Sequence, residues 1–174
     1  MSPGLIGHAF LSEAQETIMQ QILFVCLGNI CRSPLAECVF RQQAEKLALR
    51  VEVKSAAVSS WHISEKPDER AVRVGRERGY DISHHRARLL SKRDIDVASL
   101  VLALDEDVYR RVIDMADPLA VTKIRLLTDF AETSTLRDVQ TPYFGGQEDD
   151  FESMLDLIED ATRGLARYLQ SLRA

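Results

Sequence analysis

The residues of this chain best suited to chemistry crowd into one short string, Cys26-Leu27-Gly28-Asn29-Ile30-Cys31-Arg32-Ser33-Pro34. A thiol and a guanidinium stand at its two ends. Between them lie Gly28 and Asn29, the two residue types that most readily take φ > 0, so the string predicts a tight loop. Successive backbone N–H groups of such a loop, closing onto a helix N-terminus, make an anion-binding concavity. Arg32 adds a planar fork that matches two phosphoryl oxygens. The same positive field favours the ionised form of a thiol at Cys26. A thiolate in a phosphate cradle can attack phosphorus and form a covalent cysteinyl-phosphate.

Such a loop needs rigid elements on either side. The apolar run Ile22 to Val25 predicts a buried strand that stops at Cys26. Pro34 opens a helix predicted over 34–49, where its missing N–H costs least, with Ala36, Phe40, Ala44 and Leu47 as the apolar stripe. A second strand follows over 51–57. Strand, helix, strand in this order implies a right-handed crossover and a parallel sheet. Further on, the patterning predicts a helix over 68–77 ended by Gly79, a continuous apolar strand over 99–104, a helix over 106–115 and a strand over 123–127. The longest helix is predicted over 151–172, with Phe151, Leu155, Ile158, Ala161, Leu165, Leu169 and Leu172 buried. This alternation reads as a single three-layer, doubly wound α/β domain. Sites in such sheets lie beyond the carboxyl ends of the strands, where Cys26 falls. The domain is read as 21–174. Residues 1–20 are read as a frayed or loosely docked extension, with Met19 a natural alternative start.

Composition narrows the class. The chain has 174 residues, a formal net charge of −5, 45% hydrophobic and 28% charged residues. These values fit a soluble globular domain and argue against a general nucleic-acid binder. No apolar run approaches the ~18 residues that span a bilayer, and no signal peptide is expected. The three cysteines, Cys26, Cys31 and Cys38, are odd in number and clustered, so no disulfide framework is expected and a reducing cytoplasm is the simplest setting. His84 and His85 lack partners at ligand spacing, and no metal site is expected.

The spacing Cys, five residues, Arg, Ser resembles the signature loop of protein tyrosine phosphatases. The full string from Val25 to Pro34 is similar to the low-molecular-weight branch, whose loop also lies near the N-terminus. The resemblance runs from about residue 21 to the end and implies a four-stranded parallel sheet of the flavodoxin-like kind. It implies that Cys26 is the nucleophile, that Arg32 and the loop Leu27, Gly28, Asn29, Ile30 and Cys31 hold the phosphoryl group, and that Ser33 steadies the leaving thiolate. Asn29 would hold a strained backbone, with His85 bonded to it in a second layer. Asp105 matches a structural carboxylate. Trp61, Tyr143 and Phe144 would wall a phosphotyrosine ring, since two apolar faces select a flat aryl ester. Cys31 would trap oxidised Cys26 as a reversible disulfide; the plainer alternative is a small buried hydrophobe, the reading given to Cys38.

The pattern breaks at the general acid. The family has Asp-Pro-aromatic-aromatic-Gly before the last helix, whereas this chain has Thr141-Pro142-Tyr143-Phe144-Gly145. A tyrosinate leaving group, with a conjugate acid near pKa ~10, departs reluctantly unless protonated. Threonine is too weak an acid to do this. Asp138 is the nearest substitute, although its side chain would point away on the family's path. Glu148, Asp149 and Asp150 read as first-turn charges of the last helix. Smaller departures are Ser55-Ala56-Ala57-Val58, which puts hydrogen bonding beneath the loop in doubt, and Pro67-Asp68-Glu69-Arg70, which should alter only a helix start. The chain therefore reads as a divergent phosphatase, weakened on phosphotyrosine. The alternatives are a catalytically weak phosphotyrosine-binding or regulatory protein, or a protein-arginine phosphatase, although Ile30 resembles the tyrosine-directed branch. An arsenate reductase would need cysteines after Cys38, and there are none. The expected partner is a phosphorylated protein bearing phosphotyrosine. No cofactor, nucleic acid or membrane insertion is expected, and the molecule is read as a monomer or weak dimer.

Overall fold

The computed structural model describes residues 19–173. Four parallel strands, β1 (Gln20–Cys26), β2 (Val51–Ala57), β3 (Leu100–Ala103) and β4 (Ile124–Leu126), form one sheet in the order β2-β1-β3-β4. The helices are α1 (Arg32–Lys46), α2 (Glu69–Glu77), α3 (Lys92–Val97), α4 (Glu106–Met115) and α5 (Glu148–Ser171). Of the extension expected over 1–20, all but its last two residues lie outside the described residues, and the second of these, Gln20, already opens β1.

The sheet divides two cores, and β1 shows why its sequence is apolar without a break. Ile22, Phe24 and Cys26 face one core, with Leu35, Val39 and Phe40 of α1 and Phe151, Leu155 and Ile158 of α5. Leu23 and Val25 face the other, with Ile95 of α3 and Val108 and Val112 of α4. A strand's side chains alternate between faces, so a strand covered on both sides must be apolar at every position. The expected doubly wound α/β architecture is the one found.

The element ends shift where local forces differ from the periodic pattern. The first helix begins at Arg32 and ends at Lys46, and Leu47 is partly exposed at its C-cap. Leu47 is in phase with Phe40 but falls just past the last helical residue, and Leu35 and Val39 widen the buried face beyond the predicted stripe. Leu172 is likewise exposed, one residue past α5, and the buried stripe ends at Leu169. Asp68 is the N-cap of α2 rather than its first residue. The third and fourth strands are shorter than predicted, four and three residues. Helix α5 starts at Glu148, three residues early, so Glu148, Asp149 and Asp150 do form its acidic first turn. Six-residue α3 is too short to show a period. Its signal is the Ser91-x-x-Asp94 capping box, in which Ser91 and Asp94 satisfy each other's backbone N–H.

Candidate active site

Cys26 ends the central strand, and the chain curls through 27–31 before α1 begins at Arg32. Asn29 provides the turn with φ 56°, a left-handed value that asparagine tolerates. Gly28 does not share it. Its value is room: a Cβ there would meet His62 Cδ2 at 3.0 Å. The curl points the Asn29 N–H at Cys26 Sγ, 3.2 Å away. Ser33 Oγ is 3.0 Å from the same sulfur. Because Ser33 Oγ accepts from Asn29 Nδ2 at 2.8 Å, its own hydrogen is free to point at Cys26.

The strained residue is held from every side. Asn29 is fully buried, and its Nδ2 also donates to Ser55 Oγ at 3.0 Å. Ser55 Oγ in turn donates to Glu37 Oε2 at 2.5 Å. On the acceptor side, Asn29 Oδ1 takes His85 Nε2 and the Arg88 N–H, both at 3.0 Å. His85 Nε2 also lies 3.2 Å from Asn29 O. Only oxygens face that nitrogen, so it carries the hydrogen. Burial drives the His85 pKa down and favours the neutral ring. The doubt raised over bonding beneath the loop is thus corrected: Ser55 keeps its bond. The Val58 N–H reaches Cys26 O at 3.0 Å, and the Ser59 N–H reaches Leu27 O at 3.1 Å. Backbone donors serve whatever side chain they carry, so losing Gly-Thr costs little here.

Arg32 is buried, and its Nη1 is clamped between an Asp105 carboxylate oxygen and Val139 O, the latter at 3.0 Å. Burial opposes its charge, but the nearby Cys26 and the Asp105 hydrogen bond outweigh that and hold its pKa up. Asp105 uses its other oxygen to cap α4 through the Val108 N–H at 2.8 Å. Val139 is brought in by its own N–H, which donates to Leu104 O at the end of β3. One end of the guanidinium is therefore fixed by residues from two distant segments.

Above the loop lies a cleft of about 380 Å³, including its open mouth, lined by residues 26–32 with Trp61, His62, Thr141, Tyr143 and Phe144. Tyr143 and Phe144 meet edge to face at 4.9 Å. Trp61 and Phe144 are 65% and 73% exposed, so they border the mouth rather than the core. Thr141 is in the cleft, its Oγ1 3.4 Å from the Tyr143 N–H that donates to it. Asp138 is not: its Oδ1 accepts the Glu106 N–H at 2.9 Å, and it lines a separate hollow with Asp150. Cys31 is buried against Met154, Sγ to Sδ 3.6 Å, and burial followed by the neighbouring Cys26 pushes its pKa well up. All three cysteines are free, and half-buried Cys38 packs at the edge of the core. His84 is exposed.

Sequence reasoning missed three supports. His62 lines the cleft, with Nδ1 2.6 Å from Glu65 Oε2 and its ring against Tyr143 at 5.6 Å. Its one local signal was its place beside Trp61. The Asp68–Arg70 pair does more than start a helix. Asp68 donates its N–H to Ile30 O at 2.8 Å, and Arg70 Nη2 donates to Tyr143 O at 3.0 Å, tying the loop to the aromatic wall. Glu37, on α1, supports Ser55 from below.

The fold and this arrangement define a class: α/β proteins that hold a cysteine in an anion cradle at the carboxyl edge of a parallel sheet. The family model described as "Low molecular weight phosphotyrosine protein phosphatase" matches residues 21–174, and the chain belongs to that family. The low molecular weight protein-tyrosine-phosphatase YfkJ of Bacillus subtilis is 36% identical over 154 residues, 87% of this chain and 97% of that protein. A crystal structure of a protein tyrosine phosphatase from Entamoeba histolytica, with Hepes in the active site, superposes with TM-score 0.85 at 32% identity, covering 89% and 99% of the two chains. The YwlE arginine phosphatase superposes with TM-score 0.77 at 31% identity, covering 87% and 96%. No helix of the described residues is long and apolar enough to cross a membrane.

Proposed function

We propose that this phosphatase hydrolyses aryl phosphomonoesters, phosphotyrosine on proteins among them, through a cysteinyl-phosphate on Cys26. The observation that carries the reading is the cradle: one sulfur at 3.2 Å from a backbone N–H and 3.0 Å from a hydroxyl, beside a guanidinium whose Nη1 is locked. Arg32 Nε and Nη2, which have no protein partner among the described residues, would take two phosphoryl oxygens in the fork geometry. Cys26 Sγ attacks phosphorus and the P–O bond to the leaving group breaks. Water then attacks the phosphorus, and the S–P bond breaks back to a sulfur steadied by Ser33 and the Asn29 N–H. The Trp61, Tyr143 and Phe144 rim suits a flat ring. Cys31 would act as the resolving thiol for an oxidised Cys26. Three free cysteines suit a reducing cytoplasm.

Thr141 weakens the enzyme on poor leaving groups, because a positioned acid contributes roughly 10²–10⁴-fold. The same threonine favours a second reading, a phosphotyrosine reader with little turnover. The arginine-directed relative supports a third, phosphoarginine as substrate. One experiment separates them: hydrolysis of p-nitrophenyl phosphate, phenyl phosphate and phosphoarginine by wild type, Cys26→Ser and Thr141→Asp, beside binding of a phosphotyrosine peptide. The expected result is sustained p-nitrophenol release abolished in Cys26→Ser, and phenyl phosphate turnover in Thr141→Asp at least equal to that of wild type. Tight peptide binding without turnover would refute the enzyme reading. Preference for phosphoarginine would refute the aryl one.

A further inference from the structure

Among the described residues no carboxylic acid lines the cleft above the cradle, yet a proton carrier does. Besides the cysteines and Arg32, its lining holds two titratable side chains, His62 and Tyr143. Imidazole is the side chain that most readily gives and takes a proton near neutral pH. His62 is also placed as a proton carrier must be. Its Nδ1 is fixed by Glu65 Oε2 at 2.6 Å. The opposite edge of the ring leans over the phosphate loop: Cδ2 lies 3.0 Å, and Nε2 3.8 Å, from the point a Gly28 Cβ would occupy. The Tyr143 ring closes the side, edge to face at 5.6 Å. A glycine at 28 is what lets the ring come this close. The loop before α5 cannot substitute, since Thr141 offers only a hydroxyl and Asp138 is engaged with the Glu106 N–H outside the cleft.

We propose that His62, oriented by Glu65, is the proton donor to the leaving group, in place of the carboxylic acid that position 141 lacks. The inference rests on the phosphatase reading above. In the first step Cys26 Sγ bonds to phosphorus, the P–O(aryl) bond breaks with its electron pair on oxygen, and the proton on His62 Nε2 moves to that oxygen. The ring is then neutral, with its Nδ1 hydrogen held by Glu65. In the second step water attacks phosphorus and gives a proton to Nε2. The S–P bond breaks, and its electron pair returns to Cys26. The imidazolium is restored, and phosphate leaves. Four groups set the charge around this ring: anionic Glu65 beside Nδ1, cationic Arg32 and the Cys26 sulfur across the cleft, and Tyr143 at the side, itself held by Arg70.

The test is the dependence of kcat/KM on the leaving group, which reports steps up to formation of the cysteinyl-phosphate even when its hydrolysis is slower. Full-length wild type, His62→Gln, Glu65→Gln and His62→Gln/Thr141→Asp are compared on p-nitrophenyl phosphate and phenyl phosphate. The expected result is that His62→Gln loses at least about tenfold more on phenyl phosphate than on p-nitrophenyl phosphate, because a poorer leaving group needs the proton more. Glu65→Gln shifts the ratio the same way by less, and adding Asp at 141 restores phenyl phosphate turnover. If His62→Gln slows both substrates by one factor, or leaves both unchanged, His62 only packs against Gly28 and the proposal is overturned. Wild type inert on both substrates overturns the phosphatase reading itself, a result distinct from either.

Discussion

Replacing Asn29 by alanine tests how the cradle is built, and its cost can be worked from the contacts. The residue sits at φ 56°, where an L-residue with a Cβ costs roughly 1–2 kcal/mol unless its side chain compensates. Asparagine compensates with four side-chain hydrogen bonds. Two of its partners are hydroxyls with other partners, Ser33 beside Cys26 and Ser55 beside Glu37. The other two are donors. His85 Nε2 keeps the Asn29 carbonyl at 3.2 Å, while the Arg88 N–H loses its acceptor. A buried group left unpaired costs about 1–3 kcal/mol, and each satisfied bond lost costs about 1. Three bonds at about 1 kcal/mol each and one unpaired group at about 1–3 kcal/mol give about 4–6 kcal/mol, a large share of the ~5–15 kcal/mol that holds a domain folded. Asn29→Gly removes the same bonds without the φ strain and should lose about 1 kcal/mol less. Urea unfolding followed by far-ultraviolet circular dichroism measures both; Trp61 is too exposed to serve as the probe. An alanine variant within about 1 kcal/mol of wild type, or alanine and glycine equal, would refute the reasoning.

Two further predictions concern the frame. Asp160 Oδ2 accepts three successive N–H groups, Glu132, Thr133 and Ser134, at 3.1, 3.0 and 3.1 Å. Burial opposes its charge, but these bonds outweigh that and hold its pKa below the ordinary carboxylate value. A depressed folded-state pKa adds stability that is complete above the unfolded value near 3.8 and is lost as pH falls through the lower folded value. Asp160→Asn should therefore lower Tm at pH 7, with the gap to wild type closing below about pH 4, as a thermal melt series would show. Gly164 on α5 faces Phe130 O, 1.8 Å from where a Cβ would sit. Gly164→Ala should cost about 2 kcal/mol or more by pushing α5 off the turn at 127–130, and unchanged unfolding would contradict that packing.

Much of this protein was written along the chain. Strand and helix periods are local quantities, so the βα alternation, the parallel sheet and the placement of Cys26 at a strand end follow from residue order alone. The string from Cys26 to Pro34 is equally local: a phosphate cradle is built from one loop's own N–H groups, and its residues are neighbours in sequence. What lay beyond reach depended on residues meeting across distance. Nothing near Arg32 in sequence says that Asp105 and Val139 O clamp it, because that meeting requires β1 and β3 to pair and the chain after β4 to return along the end of β3. Likewise Glu37, Ser55 and Asn29 join only when α1 packs on β2. His62 looked like an ordinary loop residue until the chain after β2 folded back over Gly28. The sequence by itself determined the fold and the reactive sulfur, since both come from local patterning. The tertiary structure alone decided what orients that sulfur and what stands above it, since only packing brings such distant side chains within a hydrogen bond's reach.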